Sequence, residues 1–393
     1  MNTEKISLWN LFTLFLRIGS TAFGGFMALI AVVQQKVVEQ RKWMSQEEML
    51  DGVSLATVLP GPVAVNTVAY VGHRLRGIPG AAVCFVGVIL PSFLLLVALS
   101  VAYFQWGQLP LVSKLFMGFI PAVTAIILVA GWNMGRKAIL GVPEALIALV
   151  AAVLMVWKGS FTTSLLIIVG SGILGWLIFG TKTVVPVGAD KGGNKAANKP
   201  NKLLSISAAP LVLAIPFWSL NFTLLSKLFI TFAGMSLFLF GGGYVFIPLI
   251  QHTVVETNGW LTQQEFVDAI AMGQVTPGPI VISAAFIGYK VAGFLGALVA
   301  TVGIFLPPAI LMVAGSHALG KIKHSVVLKA VLKGIRPAVI GMIIAAVISV
   351  GMTAPQHWVS ILIFAAALLA QLKFKLDVIW VIPAAGLAGI MLY

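Results

Sequence analysis

The chain has 393 residues, 60% of them hydrophobic and only 9% charged, with a net charge of +14 and a mean hydropathy of +1.05. Soluble domains carry about 25% charged residues, so this composition excludes a water-soluble fold and makes lipid the solvent. The Lys and Arg excess sits in short segments between apolar runs rather than on one arm, which argues against a nucleic-acid partner and for the positive-inside bias of cytoplasmic loops.

In chain order, the first ten residues carry Glu4 and Lys5 without a small-residue cleavage site, so the first apolar run is read as a retained helix, not a leader. Apolar spans are predicted over 8–31, 52–71, 79–103, 112–133, 142–157 and 161–180. A polar stretch, 181–202, follows, with a Gly/Lys/Asn-rich centre that has nothing to pack and reads as a linker. Further spans are predicted over 203–223, 228–250, 267–288, 293–317, 330–351, 357–371 and 376–393. Runs such as 81–102 and 338–350 lack any Asp, Glu, Lys or Arg and do not alternate polar with apolar, which favours spanning helices over barrel strands. The expected class is an all-α polytopic membrane protein with roughly 12–13 transmembrane segments.

The sequence repeats itself. Phe23-Gly24-Gly25 returns as Phe240-Gly241-Gly242, and Pro60-Gly61-Pro62 as Pro277-Gly278-Pro279, at a constant offset of 217 residues. Glu39, Trp43, Glu48 and Asp51 return at the same offset as Glu256, Trp260, Glu265 and Asp268. One deletion later, Gly72, Gly77, Gly80, Pro91 and Pro121 match Gly288, Gly293, Gly296, Pro307 and Pro337. The expected organisation is a first repeat over 1–180, a cytoplasmic linker over 181–202, an extra span over 203–223 and a second repeat over 224–393. The extra span makes the count before the second copy odd, so the two copies are expected to thread the membrane in opposite senses, as in many transporters. With the N-terminus in the cytoplasm, most Lys and Arg then fall on the cytoplasmic side.

Three motif classes carry candidate chemistry. Pro-Gly-Pro inside an apolar run must interrupt a helix, and Pro62 and Pro279 suit the first position of a new one. Each break would aim bare amides and a positive dipole end into the membrane. Thr57, Asn66 and Thr67 in one half, and Gln274, Thr276 and Ser283 in the other, lie beside the breaks as donors, although such residues are often only interhelical glue. Phe23-Gly24-Gly25 and Phe240-Gly241-Gly242-Gly243 suit a hinge or, equally, close packing. Arg17 is the cation well inside an apolar span and could meet an anion or snorkel to the interface.

Among the acids, Ser45-x-x-Glu48 and Thr262-x-x-Glu265 have the capping-box pattern. Asp51 and Asp268, at the membrane edge, are the stronger candidates for ion coupling, with Glu39 and Glu256 beside them. The histidines are scattered without metal-ligand spacing, Cys84 is alone, and there is no phosphate-binding Gly-rich loop or nucleophile elbow. No metal, cofactor or enzymatic activity is expected.

With these residues on the page, the chain resembles the chromate transporter family in its two-domain form. The likeness rests on Phe23-Gly24-Gly25, Trp43, Pro60-Gly61-Pro62, Gly72, Gly77, Gly80-Ala81 and Pro91. It rests equally on Phe240 to Gly243, Trp260, Gln274, Pro277-Gly278-Pro279, Gly288-Tyr289, Gly293, Gly296-Ala297 and Pro307. The halves depart from one another where Thr57 matches Gln274 and Phe26 matches Gly243, so a symmetric site is not implied. The resemblance implies a secondary transporter that exports chromate across the bacterial inner membrane, driven by the membrane potential or an ion gradient, with sulfate competing. A sulfate-type carrier and a passive anion channel are the alternatives, and a homodimer would suit a chain of this size.

Overall fold

A computed structural model describes residues 6–22, 25–107, 109–180, 222–240, 243–318 and 325–393. Among these the structure is helical, without strands. In the first half, α1 (Leu8–Thr21) is followed by α2 (Gly25–Gln34), which runs into a π-helical turn (Gln35–Gln40). Then come α3 (Gln46–Val58), α4 (Val63–Trp106), α5 (Pro110–Ala138), α6 (Val142–Lys158) and α7 (Phe161–Phe179). The second half opens with α8 (Phe222–Ser236), a 3-10 turn (Gly243–Val245), α9 (Phe246–Gln251) and a second π turn (His252–Thr257). It continues with α10 (Gln263–Val275), a 3-10 turn (Ile280–Ser283), α11 (Ala284–Ser316), α12 (Val326–Gly351), α13 (Trp358–Leu372) and α14 (Val378–Leu392). Among the described residues, five segments are long and apolar enough to cross a membrane: Val63–Trp106, Pro110–Ala138, Thr162–Phe179, Ile280–Ser316 and Val326–Gly351.

A straight helix of 44 residues, the length of α4, would reach about 66 Å, twice the ~30 Å of a bilayer core. The chain avoids this by folding back. Arg76 and Gly77 leave helical geometry, and Gly77 sits at φ +63°, ψ −154°. Beyond that point Gly72 lies directly on the Gly80 carbonyl, with no room for a Cβ. Thus α4 is a hairpin with arms 63–75 and 78–106. In α11 the same turn falls at Ala292 and Gly293 (φ +60°, ψ −150°), with Gly288 on the Gly296 carbonyl.

Such correspondences recur along the chain. The two π turns, and α3 with α10, keep the sequence offset of 217. Lys42 (φ 52°) matches Gly259 (φ 58°), and Gly61 (φ 106°) matches Gly278 (φ 101°). Gly87 of α4 packs on Phe12, Phe15 and Leu16 of α1, while Gly303 of α11 packs on Phe229, Phe232 and Ala233 of α8. The halves are also interleaved. Helices α6 and α7 pack on α12, α13 and α14 pack on α5, and α4 packs on α11 at the centre. Large apolar side chains such as Trp157, Leu140 and Trp380 point outward, as a lipid-facing surface requires.

The structure corrects two expectations. Spans over 8–31 and 228–250 are not continuous. Helix α1 stops at Thr21 with Ala22 as its cap, and α8 stops at Ser236, with residues 237–240 outside any helix and a 3-10 turn at Gly243–Val245 ahead of α9. The expected linker 181–202 lies outside the described residues, as do the extra span 203–223 up to residue 221 and Phe23, Gly24, Gly241 and Gly242; α8 takes up the chain at Phe222.

Candidate functional site

The breaks at Pro60–Pro62 and Pro277–Pro279 interrupt their helices as the sequence requires. Helix α3 ends at its cap Leu59 and α4 begins at Val63, with Pro62 as N-cap in an extended conformation. Helix α10 ends at its cap Thr276, and a 3-10 turn capped by Pro279 precedes α11. The prolines therefore stand one residue ahead of the helical position expected of them. A proline's fixed φ suits either place, and here its ψ stays extended.

The glycine between each pair of prolines does something the sequence does not reveal. Gly61 donates its backbone N–H to the Leu239 carbonyl at 2.7 Å, and Gly278 donates to the Ala22 carbonyl at 3.1 Å. Ala22 and Leu239 are themselves matched positions, each just ahead of a Phe-Gly-Gly. Each break is thus tied to the interrupted segment of the other half, in a reciprocal pair of the kind a two-fold relation generates. These two amides are committed to protein carbonyls rather than bare.

The second hairpin arms close the arrangement. The Ser92 hydroxyl donates to the Pro277 carbonyl, and a Cβ on Gly278 would meet Ser92 Oγ at 2.9 Å. At the matched position Pro308 lies against Gly61. Ser92 carried no signal of its own in the sequence; the repeat offset that pairs it with Pro308 is what points to it. Gly243 reaches the second break, since a Cβ on it would meet Ile280 Cγ2 at 2.8 Å.

The polar side chains beside the breaks divide into committed and uncommitted groups. Thr67 donates to Val63 O, Thr276 to Gly273 O and Ser283 to Ile280 O. These three hydroxyls donate to carbonyls three or four residues back in their own segments. Asn66 Nδ2 donates to Pro60 O at 2.9 Å, which braces the first break, and Asn66 Oδ1 is buried without a partner. Gln274 Nε2 is likewise buried without a hydrogen-bond partner among the described residues. Buried unpaired amide groups are costly, so these two atoms mark where a further polar group would fit. Arg17 is exposed on the outer side of α1, whose buried residues are Leu11, Leu14, Phe15, Ile18 and Gly19; it is not brought to the breaks.

The acidic candidates separate in the same way. Glu48 and Glu265 close complete capping boxes with Ser45 and Thr262. Each also pairs with a cation at a matched position, Glu48 with Arg74 and Glu265 with Lys290. The Arg74 guanidinium holds the Glu48 carboxyl below the usual carboxylate range. Glu39 and Glu256 are exposed, the latter 3.1 Å from His252. Asp51 is half-buried, whereas its counterpart Asp268 is 2% exposed. Asp268 Oδ2 accepts from the Tyr103 hydroxyl at 2.7 Å, and Oδ1 accepts from Gln264 Nε2 at 3.0 Å. A carboxylate taken out of water with neutral partners alone is an expensive arrangement. Tyr103 belongs to the first half, so this contact spans the two halves. Hydropathy gave no reason to single it out. No cluster of metal-ligating side chains occurs among the described residues.

Comparison with known proteins gives a consistent result. The sequence profile of the chromate transporter family matches the chain in two parts, residues 9–176 and 226–390. A probable chromate transport protein of Synechococcus elongatus is 33% identical over 98% of this chain and 96% of its own length. The chromate transport protein of Cupriavidus metallidurans is 31% identical over 96% of this chain and 92% of its own length. An uncharacterized transporter of Methanocaldococcus jannaschii is 31% identical over 93% of this chain and 90% of its own length. No solved structure matches the chain.

Proposed function

Because the chain belongs to the chromate transporter family and is a multi-pass membrane protein, we propose that it exports chromate across the cytoplasmic membrane. The proposed site lies where the two Pro-Gly-Pro breaks approach each other. The observation that carries this reading is the reciprocal bond pair, Gly61 to Leu239 and Gly278 to Ala22. It ties each interruption to a residue of the other half, Leu239 or Ala22, that stands just ahead of a Phe-Gly-Gly.

Opposed threading of the halves is part of the proposal, and the contacts support it. Gly61 lies on Pro308 and His73 on His317, with ring centroids 5.2 Å apart. The arm 63–75 therefore runs in the same direction as the second arm of α11. Tyr289 likewise stacks on Phe104 and Gly278 lies on Ser92, so the first arm of α11 follows the second arm of α4. Since the arms of each hairpin oppose, the two matched first arms point in opposite senses. Their starting turns then present amides without intrahelical acceptors from two sides.

In this reading a tetrahedral dianion is held by first-turn amides of α4 and by Gln274 Nε2, with Asn66 Oδ1 left for water or a protonated oxygen. The halves rock about the site to alternate access. Moving a dianion out of a cell that is negative inside gains about 4.6 kcal/mol per 100 mV, enough to drive export without ATP. Asp268, buried between the halves, is the proposed coupling residue if protons are exchanged. Sulfate shares the shape and charge of chromate and would compete. The test is chromate content in sensitive cells with and without the protein. Lower accumulation that an uncoupler abolishes supports export; equal accumulation in both strains contradicts it.

A further inference from the structure

A cavity of about 510 Å³ opens beside the first break, lined on one wall by Ser54, Thr57 and Val58 of α3. The other walls carry Lys137 at the end of α5 and Lys329, Lys333 and Arg336 of α12. We propose that this cavity is a docking site for a divalent tetrahedral oxyanion, entered before the anion reaches the break at Pro60–Pro62. The proposal rests on the transport reading above for its direction, but not for its chemistry.

Four observations carry it. Lys329, Lys333 and Arg336 are spaced i, i+4 and i+7, so α12 turns all three to one face. Like charges at such spacing repel and destabilise a helix, a cost that an anion between them would relieve. No carboxylate lines the cavity. Among the described residues the one acid within 4.0 Å of these cations is Glu144, at that distance from Lys333 Nζ. All four cations are exposed, so none is sealed inside the protein. Finally, its α3 wall is the stretch directly ahead of the cap Leu59 and the break, which places the cations on the way to the proposed site.

The other half provides an internal comparison. The positions matching Lys137, Lys329, Lys333 and Arg336 are Thr353, Ser113, Met117 and Ile120, and those matching Ser54 and Thr57 are Ala271 and Gln274. The cationic wall therefore exists on one side alone. Positive-inside counting puts Lys137 and the start of α12 in the cytoplasm. An anion would be gathered from the cytoplasm and released on a side with no matching trap, which fits export. A cavity at membrane level could also receive the phosphodiester of an anionic lipid, which presents the same tetrahedral oxygens.

The experiment measures equilibrium binding of labelled sulfate, and of chromate, to the purified full-length protein in phosphatidylcholine nanodiscs. Binding that weakens steeply with KCl is expected for the natural sequence. At least tenfold weaker binding is expected for the triple variant Lys329→Gln, Lys333→Gln, Arg336→Gln. Lys137→Gln, on the facing helix, should weaken binding severalfold even if the triple variant fails to fold. Lys158→Gln, remote from the cavity, should leave it unchanged. Adding phosphatidylglycerol should shift the Kd by less than twofold. No measurable binding, unchanged binding in both cavity variants, or phosphatidylglycerol displacing the anion from the natural protein overturns the proposal. Chromate transport with normal KM in the triple variant removes the docking site while leaving the transport reading intact. Anion binding without any chromate transport does the reverse.

Discussion

Gly61 and Leu239 are 178 positions apart in sequence, yet the amide of the first bonds to the carbonyl of the second at 2.7 Å. The matched bond from Gly278 to Ala22 makes this a reciprocal clasp. Each helix break is bonded to the residue just ahead of the other half's Phe-Gly-Gly. A break buried in lipid leaves backbone groups unpaired at a cost of several kcal/mol each. Pairing them across the halves removes part of that cost and couples the geometry of the two breaks.

The two glycines should not respond equally to substitution. Both hold φ near +100°, so any side chain is strained. A Cβ on Gly61 also collides with the Pro308 ring, whereas one on Gly278 meets the rotatable Ser92 hydroxyl. Gly61→Ala should cost about 1–3 kcal/mol more than the backbone strain alone, and Gly278→Ala close to the strain alone. Thermal unfolding in detergent, read against chromate transport, checks the order. Equal losses would show that Pro308 yields.

Gly77 tests backbone conformation without packing. A Cβ there meets nothing within 4 Å, but φ +63°, ψ −154° belongs to a region essentially reserved for glycine. Gly77→Ala and Gly293→Ala should each cost about 1–3 kcal/mol, and Asn should not rescue, because this is not the left-handed helical well. A Gly77→Ala variant as stable as the natural protein would contradict the hairpin turn.

Asp268 and Tyr103 join the halves through one hydrogen bond. Tyr103→Phe should cost about 1–3 kcal/mol by leaving a buried acceptor short of a donor. If Asp268 couples transport to protons, Asp268→Asn should keep potential-driven chromate flux while abolishing flux driven by a pH gradient. Flux that responds to a pH gradient equally in Asp268→Asn vesicles would rule the coupling role out.

Glu48 gives a pH dependence with a definite sign. Its carboxyl is held low chiefly by the Arg74 hydrogen bond. A group with a depressed folded pKa contributes stability that is present above its unfolded pKa, about 4.3, and lost as pH falls through the folded value. The pair is partly exposed, so about 0.2–1 kcal/mol is expected. Glu48→Gln should lower Tm slightly at pH 7 and converge with the natural protein at acid pH. A gap that widens on acidification would contradict the assignment.

Much of this was legible before the fold. Pro-Gly-Pro announces a helix break because proline lacks a donor and restricts the residue before it, and both breaks occur. Ser45 with Glu48 and Thr262 with Glu265 announced their capping boxes. The passage at Phe-Gly-Gly was read as part of a continuous span because hydropathy reports lipid exposure, not backbone pairing. Thr67, Thr276 and Ser283 look like free donors in sequence, but a hydroxyl in a helix finds its own i−3 or i−4 carbonyl first. Arg17 among apolar neighbours suited either an anion contact or snorkelling, and only the packing of α1 shows which way it faces. The clasp itself and the Tyr103–Asp268 contact depend on which halves meet, which no local pattern encodes.

Chromate uptake by everted membrane vesicles, in the orientation where uptake equals export, tests the central claim most directly. With a lumen-positive potential imposed, vesicles carrying the natural protein should accumulate chromate above the outside concentration and lose it on adding an uncoupler. Vesicles carrying Gly61→Val or Gly278→Val, with the protein inserted at normal levels, should not accumulate it. Undiminished accumulation in both variants would contradict an anion site built from the two paired breaks.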